Sequence, residues 1–485
     1  MAASLEPHMQ PGQHTVEGSA LPSVDSFFPQ RSYIDGAQLC FLHIQKTAGT
    51  TVRLLMENAF AGTRVFPTGS HAFDGGYLEF EPALAAGDDF RDFEAFGGHN
   101  GAIAARLLPE ETNRFVWLRE PFDRGVSAFF FFAVQERTGT HKAYTERLDL
   151  GERIESVFLD WADREGQRLQ SLLIAGRAGT FDEWRKTHPH VDVDAEAVAA
   201  IRQCFFVGLM EDQERSIDAF CALTSILPPK QDTRKNVGTK RRIGLSFTPE
   251  EQARLARIYA PQFAFCRRMT EIYHRQMDML RGRASENPAL ALIGRREELR
   301  QYILGLPKAK RQRRLATWNA WDPVQGENLD SREQHRAQDG GLSRWRWTGP
   351  SPDTYLYVDP PRKNALKLRL RLNRATPIEN AQRAELFVAG HRVPLRMQDA
   401  QGETLDLVGE IARKDARRLP DLVEIHIHTP AMMDEGALVP YAGTRKLGLA
   451  LESLSFEPVS STGSGPGWFR MPRLFAGVSG GRIGR

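Results

Sequence analysis

Apolar runs that end in charged turns mark the strand candidates in the first half of the chain. The run from Leu39 to Ile44 has the length of a buried strand and gives way to Gln45 and Lys46. A helical pattern then starts near Val52. A second short run, from Phe115 to Leu118, also ends in a charged turn. Both places therefore predict a strand, a loop and a helix in succession.

After about residue 325 the pattern of apolar and polar residues changes its period. Residues 366–372 alternate between leucine and a basic residue, which is typical of a strand with one buried face. Segments 384–388, 422–427 and 446–454 also have strand patterns, and turn residues separate them. This part of the chain is expected to form an all-β domain, a sandwich or jelly roll.

The length of 485 residues is too great for one ordinary core, so two domains are expected. The patterns place them at residues 37–282 and 325–460, with a charged connector at 283–324. Residues 1–36 are predicted to be a disordered tail, and the Gly/Ser-rich residues 461–485 a flexible one. The first domain closes with a helical pattern that is expected to break near Pro261.

Charge and cysteine content narrow the class of protein. The formal net charge of +3 argues against a dedicated nucleic-acid-binding protein. The four cysteines lack metal-type or redox spacing, which favours buried thiols in a reducing compartment. Neither a run of 18 apolar residues nor a basic-plus-apolar N-terminal signal occurs, so no transmembrane segment is predicted. A cytoplasmic protein is expected.

The loop after the first strand candidate has the chemistry of an anion cradle. Helix N-terminal N–H groups and the helix dipole favour negative charge at this point. Lys46 adds a positive charge, Gly49 permits close approach of the backbone, and Thr50 and Thr51 add hydroxyl donors. The lysine precedes the single glycine, whereas ATP-binding loops have two glycines before it. A phosphate-like group other than the triphosphate of ATP is therefore favoured.

The second strand candidate is followed by another pair of anion-binding side chains. Arg119 lies at the end of the strand, and Pro121 suits the first turn of a helix. Ser127 follows about two turns along that helix. A guanidinium can hold a phosphate through two hydrogen bonds, and a hydroxyl adds a third donor. Two separate phosphate sites are thus indicated.

Both segments resemble motifs of carbohydrate sulfotransferases. The sequence Lys46-Thr47-Ala48-Gly49-Thr50-Thr51 resembles their 5′-phosphosulfate loop. Residues 119–127 are similar to their 3′-phosphate motif, Arg-Asp-Pro-x-x-Arg-x-x-Ser. The likeness is greatest to the heparan sulfate 2-O- and 6-O-sulfotransferase branch and its bacterial relatives, and it covers roughly residues 37–280.

The resemblance implies a donor, a fold and a set of binding residues. The donor is 3′-phosphoadenosine-5′-phosphosulfate (PAPS), and the fold is a P-loop-like parallel sheet flanked by helices, with the donor at the strand carboxyl ends. Arg119 and Ser127 would hold the 3′-phosphate, and Lys46 would also neutralise charge on the leaving oxygen. The 5′-phosphosulfate would be held by Lys46, Thr47, Ala48, Gly49, Thr50 and Thr51.

A base for the acceptor hydroxyl is expected between the two motifs. The resembling branch has a catalytic histidine at the position that corresponds to His99, which follows a Phe-Gly-Gly sequence. Histidine suits this role because its pKa lies near neutral pH. His43 is the rival candidate, although its place in the first strand favours a packing or loop-bracing role. His71 is a third candidate.

Farther along, the resemblance is less regular. Residues 204–209 resemble the late strand of these enzymes, and the basic segment with Lys240 and Arg241 resembles the loop that closes over the donor. The segment that starts at Gln170 keeps that glutamine but has Leu172 where an arginine is usual. The acceptor-side contacts are therefore expected to differ from those of the family.

Three further features have a structural and a functional interpretation. The basic run 308–314 suits an anionic glycan or membrane surface, but the favoured interpretation is a solvated linker. Trp345 and Trp347 share one strand face, where they could form a sugar platform or pack in the core. Core packing is the favoured interpretation. His426 and His428 also share a face, and without a third ligand they predict no metal site.

The sequence thus predicts a bacterial, cytoplasmic, PAPS-dependent sulfotransferase that acts on a hydroxyl of a carbohydrate or glycoconjugate and requires no metal. Its β domain resembles, at the level of fold only, the accessory carbohydrate-binding sandwiches of bacterial glycan enzymes. Two alternatives stay open: a small-molecule kinase with a P-loop-like site, and a non-catalytic glycan-binding protein. The acceptor and the modified hydroxyl are not specified by the sequence.

Overall fold

The structure is a computed structural model, and it leaves residues 1–30 and 460–485 undescribed along with several internal segments. Its described residues are 31–59, 65–66, 93–97, 102, 105–106, 108–135, 141–166, 168–176, 181–230, 245–306, 317–320, 326–336, 342–362, 364–399, 404–420, 422–434 and 446–459.

A sheet of five parallel strands organises the first part of the chain. Its strands are β1 (Leu39–Leu42), β2 (Val65–Phe66), β3 (Ala95–Phe96), β4 (Asn113–Leu118) and β5 (Cys204–Leu209). They lie in the order β2–β3–β1–β4–β5. Their residues are almost all buried, as in a sheet covered on both faces. The predicted parallel sheet flanked by helices is confirmed, although β1 ends two residues before its apolar run does.

Helices cover this sheet. In this part of the chain the structure describes α1 (Gly49–Ala59), α2 (Pro121–Phe129), α3 (Lys142–Asp149), α4 (Ile154–Trp161), α5 (Leu169–Ile174), α6 (Phe181–Thr187), α7 (Val193–Arg202), α8 (Gln213–Thr224), α9 (Pro249–Gly282) and α10 (Arg296–Leu304). None of them is long and apolar enough to cross a membrane. Two π-helical segments, Phe130–Gln135 and Ala162–Gly166, continue α2 and α4.

The prediction that the long helix breaks near Pro261 is wrong, because α9 is continuous across it. A proline inside a helix removes one backbone hydrogen bond and costs about 3 kcal/mol or more. Burial on both sides offsets that cost: Tyr259 lies before the proline and Phe265 after it, both almost fully buried. A capping box between Thr248 and Glu251 fixes the start of the helix.

The predicted connector is partly helical rather than a plain charged segment. A 3₁₀ turn at Pro288–Leu292 precedes α10. Leu299 and Ile303 of α10 are buried in the core of the α/β part. Charged residues occupy the exposed side of the helix. Their number in the sequence is the reason that a charged connector was predicted here. The basic run at 308–314 lies outside the described residues.

The second part of the chain is built from antiparallel strands. The longer ones are β8 (Leu329–Arg336), β9 (Leu342–Thr348), β10 (Asp353–Val358), β11 (Leu366–Asn373), β15 (Thr404–Ile411), β16 (Val423–His428) and β19 (Ala450–Pro458). The shorter ones are β6 (Thr317–Asn319), β7 (Gly326–Glu327), β12 (Glu385–Val388), β13 (His391–Val393), β14 (Arg396–Asp399), β17 (Met433–Asp434) and β18 (Lys446–Leu447). One sheet has the order β13–β12–β16–β10–β7, and a second has the order β14–β15–β11–β19–β9–β8, with β6 paired to β19. Strands β17 and β18 pair as a separate two-stranded sheet.

The two larger antiparallel sheets contribute to a single hydrophobic core. The alternating leucines of β11 are fully buried, and so are Ile425 and Ile427 of β16 in the opposite sheet. Trp347 is also buried, with Trp345 packed beside it, so this pair contributes to packing as the sequence favoured. The period-2 pattern therefore predicted the strands correctly, while the jelly-roll connection order stays a prediction.

A buried polar junction joins the two parts. Arg300 of α10 is about 1% exposed and donates to Glu327 Oε1 at 3.1 Å, Glu424 Oε2 at 3.2 Å and the Tyr357 hydroxyl at 2.6 Å. It also donates to the Pro228 carbonyl. Burial opposes the charge of Arg300, but its partners nevertheless raise the pKa of this guanidinium above the ordinary value.

Candidate functional site

The strand order creates a crevice at the carboxyl ends of β1 and β4. From β1 the chain crosses β3 to reach β2, whereas from β4 it continues to β5 on the other side. Adjacent strands whose connections leave in opposite directions form a switch point, where ligands of open α/β sheets bind. The Lys46 loop follows β1, and Arg119 follows β4. The fold therefore brings the two predicted anion-binding segments to one crevice.

The loop after β1 has a constrained backbone. Lys46 and Ala48 have φ values of 70° and 64°, in the left-handed region that residues other than glycine rarely adopt. Such conformations are maintained only where the surrounding structure imposes them, and they cluster at ligand-binding sites. The loop closes on the helix through the Val52 N–H, which donates to the Ala48 carbonyl at 3.0 Å.

The imidazole of His43 lies directly beneath this loop. A Cβ atom on Gly49 would lie 1.7 Å from His43 Nε2, so only glycine fits there. The ring stacks on Phe41, with 4.9 Å between ring centroids. Burial, together with the charges of Arg53 and Lys46, lowers the pKa of His43 to about 3. His43 is therefore neutral at physiological pH and braces the loop, which was the favoured interpretation of its place in the sequence.

The threonines of the loop differ in what they can offer a ligand. The Thr47 hydroxyl is fully buried and donates to the Ile44 carbonyl at 2.8 Å. Thr47 can therefore contribute its backbone N–H, but its hydroxyl is already committed. Thr51 is 5% exposed on the first turn of α1. Thr50 opens the same turn, and its side chain lies outside the described part of the structure.

Lys46 extends toward the π-helical segment after α2. Its Nζ lies 3.8 Å from the centroid of the Phe131 ring, a cation–π contact. Arg119 makes the second bridge, because its Nη1 donates to the Lys46 carbonyl at 3.4 Å. The loops after β1 and β4 are thus in direct contact through a lysine and an arginine of the two motifs.

Gln170 holds the main chain of Arg119 from the other side. Its Nε2 donates to the Arg119 carbonyl at 2.8 Å, and its Oε1 accepts from the Arg119 N–H at 3.3 Å. Gln170 is fully buried and also contacts Cys266 Sγ at 3.3 Å. This positioning role is not evident from the sequence, which noted Gln170 only as a position kept from the resembling family. Leu172, two residues on, is a buried core residue.

The helix after Arg119 starts as its sequence predicts. Pro121 occupies the first turn, and the Glu120 carboxylate caps the helix by accepting from the Asp123 N–H at 2.5 Å. Burial raises the pKa of Glu120. Ser127 lies two turns along and is 8% exposed. The N-terminal end of α2 therefore lies at the edge of the crevice, next to Arg119.

Arg124 on α2 is a buried cation at the second arginine position of the motif at 119–127, to which the sequence assigned no role. Its side chain is fully buried, and within the described part of the chain its three guanidinium nitrogens have no hydrogen-bond partner. Burial lowers its pKa, and the charge of nearby Arg119 lowers it further. The Tyr259 hydroxyl, also buried and without a described partner, lies beside Gly125. A buried, uncompensated guanidinium is unfavourable, so this region favours an incoming anion.

The remaining predicted site residues cannot be located in the structure. His99, His71, Lys240 and Arg241 all lie outside the described residues. In comparisons with known proteins, neither a family model nor a curated protein sequence matches the chain. The geometry of the crevice and the motifs in its two loops therefore carry the functional argument.

Proposed function

We propose that the α/β part is a sulfotransferase that moves the sulfuryl group of PAPS to a hydroxyl of a carbohydrate or glycoconjugate. The proposal is supported above all by the contact of the Lys46 loop with Arg119 at the β1–β4 crevice. PAPS has two phosphate-bearing ends, and the crevice has two anion-binding segments of matching type. The ATP-loop spacing is absent, which disfavours the kinase alternative.

In this proposal the loop residues 46–51 bind the 5′-phosphosulfate, and Arg119 with Ser127 binds the 3′-phosphate. Arg124 adds positive potential beneath that end from its buried position on α2. The buried amide of Gln170 keeps the Arg119 backbone fixed, so the guanidinium is presented at low entropic cost. Lys240 and Arg241 are the expected closing residues over the donor.

The reaction is an in-line displacement at sulfur. The acceptor oxygen forms the new S–O bond while the bond between sulfur and the bridging phosphate oxygen breaks. His99 takes the proton of the acceptor hydroxyl, and adenosine 3′,5′-bisphosphate leaves. Lys46 neutralises the charge that develops on the departing oxygen, which is where a fixed cation lowers the barrier most. To do so, its ammonium moves from the Phe131 ring to that oxygen.

Nucleotide binding separates this proposal from the kinase alternative. Thermal-shift measurements on the whole chain should show stabilisation by adenosine 3′,5′-bisphosphate and a smaller effect of ATP with Mg²⁺. Lys46→Ala should lose most of the stabilisation by the bisphosphate. Lys142→Ala is the matched control, because that lysine is exposed on α3. Stabilisation by ATP with Mg²⁺ but not by the bisphosphate would favour a kinase.

Transfer of labelled sulfate from PAPS to a panel of glycan acceptors tests the reaction itself. His99→Ala should reduce transfer by about 10²–10⁴-fold, the usual contribution of a general base, with bisphosphate binding unchanged. His274→Ala, at an exposed position of α9, is the matched control. Undiminished turnover in His99→Ala would remove His99 as the base. Glycan binding without transfer to any acceptor would support the non-catalytic alternative.

A further inference from the structure

Three metal-ligating side chains lie together on the outer face of a β sheet, far along the chain from the crevice motifs. His426 and His428 of β16 alternate with the buried Ile425 and Ile427, so both imidazoles project from the same face. Asp353 of β10 is directly paired with His428 in the antiparallel register. The two strands thus supply the third ligand that the sequence alone could not identify.

The ligand atoms of these residues converge on a small volume. Asp353 Oδ1 lies 2.8 Å from His426 Nε2 and 2.7 Å from His428 Nδ1. All three ligand atoms lie within 4.8 Å of one another. Around a tetrahedral Zn²⁺ with bonds of about 2.0–2.1 Å, ligand atoms are separated by roughly 3.4 Å. Conversion of the hydrogen-bonded cluster into a coordination set therefore requires the Asp353 oxygen to move away from each nitrogen by roughly 0.6–0.7 Å, with the two imidazoles adjusting around the ion.

We propose that Asp353, His426 and His428 bind one Zn²⁺ ion. Two imidazole nitrogens and one carboxylate oxygen form a ligand set that suits Zn²⁺ and is shared by Fe²⁺ sites, whereas Mg²⁺ and Ca²⁺ prefer all-oxygen sites. Binding requires each histidine to present a lone pair at the nitrogen that now faces Asp353. Each neutral ring does this by carrying its proton on the other nitrogen.

The surroundings hold the ligands in place before a metal arrives. The His426 ring is stacked between Tyr355, at 4.7 Å, and Phe387, at 5.1 Å, with interplanar angles of 18° and 19°. These aromatic residues lie on the strands either side of β16. A ring that is packed on both faces loses little conformational freedom when it coordinates a metal. Little binding free energy is therefore lost to ordering this ligand.

The site is open to solvent on one side. The side chains of Asp353, His426 and His428 are 30%, 24% and 33% exposed. Three protein ligands with an accessible face leave the fourth tetrahedral position to water or to a donor atom of a bound molecule. The ion would also cross-link β10 and β16, which carry Tyr357 and Glu424 of the junction with Arg300.

Metal binding is measured on the whole, tag-free chain after dialysis against a chelator. Titration calorimetry with Zn²⁺ should give one site per chain, and Co²⁺ should produce the intense visible absorption of a tetrahedral complex. Asp353→Asn and His428→Gln should each weaken Zn²⁺ binding by at least about 100-fold, the upper end of the loss for an outer-sphere partner. His391→Ala, on β13 of the same sheet, is the control and should bind normally.

The variants separate zinc binding from a purely hydrogen-bonded cluster. Asparagine and glutamine keep hydrogen-bonding capacity, so circular dichroism should show folded protein in both variants while Zn²⁺ binding is lost. Absence of Zn²⁺ binding by the unmodified chain would overturn the proposal. One-to-one binding that survives in a His426→Ala/His428→Ala double variant would also overturn it. Bisphosphate binding at the β1–β4 crevice is a separate measurement, so neither proposal depends on the other.

Discussion

Gly49 provides the sharpest test of how the loop after β1 is built. In Gly49→Ala the new Cβ would lie 1.7 Å from His43 Nε2, about 1.7 Å inside an ordinary contact of roughly 3.4 Å. The imidazole stacks on Phe41, which limits how far it can retreat. The loop therefore has to lift by more than about 1 Å, and overpacking of this kind costs about 1–3 kcal/mol.

A displacement of that size would also move Lys46 away from the place where the proposed reaction needs it. A misplacement of about 1 Å can cost about 10²-fold in rate, so we expect sulfate transfer to fall by about that factor. Denaturant unfolding and bisphosphate titration on the same preparation measure both effects. Gly282→Ala is the matched control, because nothing lies within 4 Å of its added Cβ. Replacing His43 by alanine in the Gly49→Ala background should restore part of the bisphosphate affinity. Wild-type stability and affinity in Gly49→Ala would refute this account of the loop.

Three further predictions concern buried ionisable side chains. Arg124→Met should stabilise the ligand-free chain by about 1–4 kcal/mol and weaken its thermal stabilisation by bisphosphate, because a buried positive charge is removed. A lower melting temperature without ligand would contradict this. Arg300→Ala should lower the free energy of unfolding by about 3–5 kcal/mol, because Glu327 and Glu424 lose their buried partner. Scanning calorimetry should then show two separated unfolding transitions. Arg281→Ala, at an exposed position, is the control and should give the wild-type trace. His43 has a folded pKa of about 3, below its ordinary 6.5, so the unfolded chain binds more protons between these values. The contribution of His43 to stability is therefore complete above about pH 6.5 and declines toward pH 3, and His43→Gln should reduce that slope.

Local sequence patterns predicted the parts of the fold that depend on local order. The apolar runs before Lys46 and Arg119 are strands, and the alternation at 366–372 is a strand with one buried face. A loop that follows a parallel strand lies at the strand's carboxyl end. Once a parallel sheet was expected, the loops after β1 and β4 could therefore be predicted to lie at the same edge of the sheet. Pro261 was misjudged because local propensity does not include the burial of its neighbours.

Contacts between distant segments were beyond the reach of these patterns. Gln170 and Arg119 are 51 residues apart, and their amide–backbone pairing depends on how α5 packs against the end of β4. Asp353 meets His428 across 75 residues because of one particular strand register. A shift by one residue would put Asp353 on the opposite face, so the cluster exists only as a property of the assembled sheet.

The cation–π contact between Lys46 and Phe131 sets a threshold for ligands. An anion can draw the ammonium from the ring only if the new contact returns more than the roughly 0.5–2 kcal/mol that the ring supplies. Weakly held ions such as free inorganic sulfate gain little from the lysine, because they lack the second anchor at Arg119. A two-ended ligand meets the threshold through its other end. In the proposed site the aromatic ring would therefore favour anions with two binding ends over abundant simple ones.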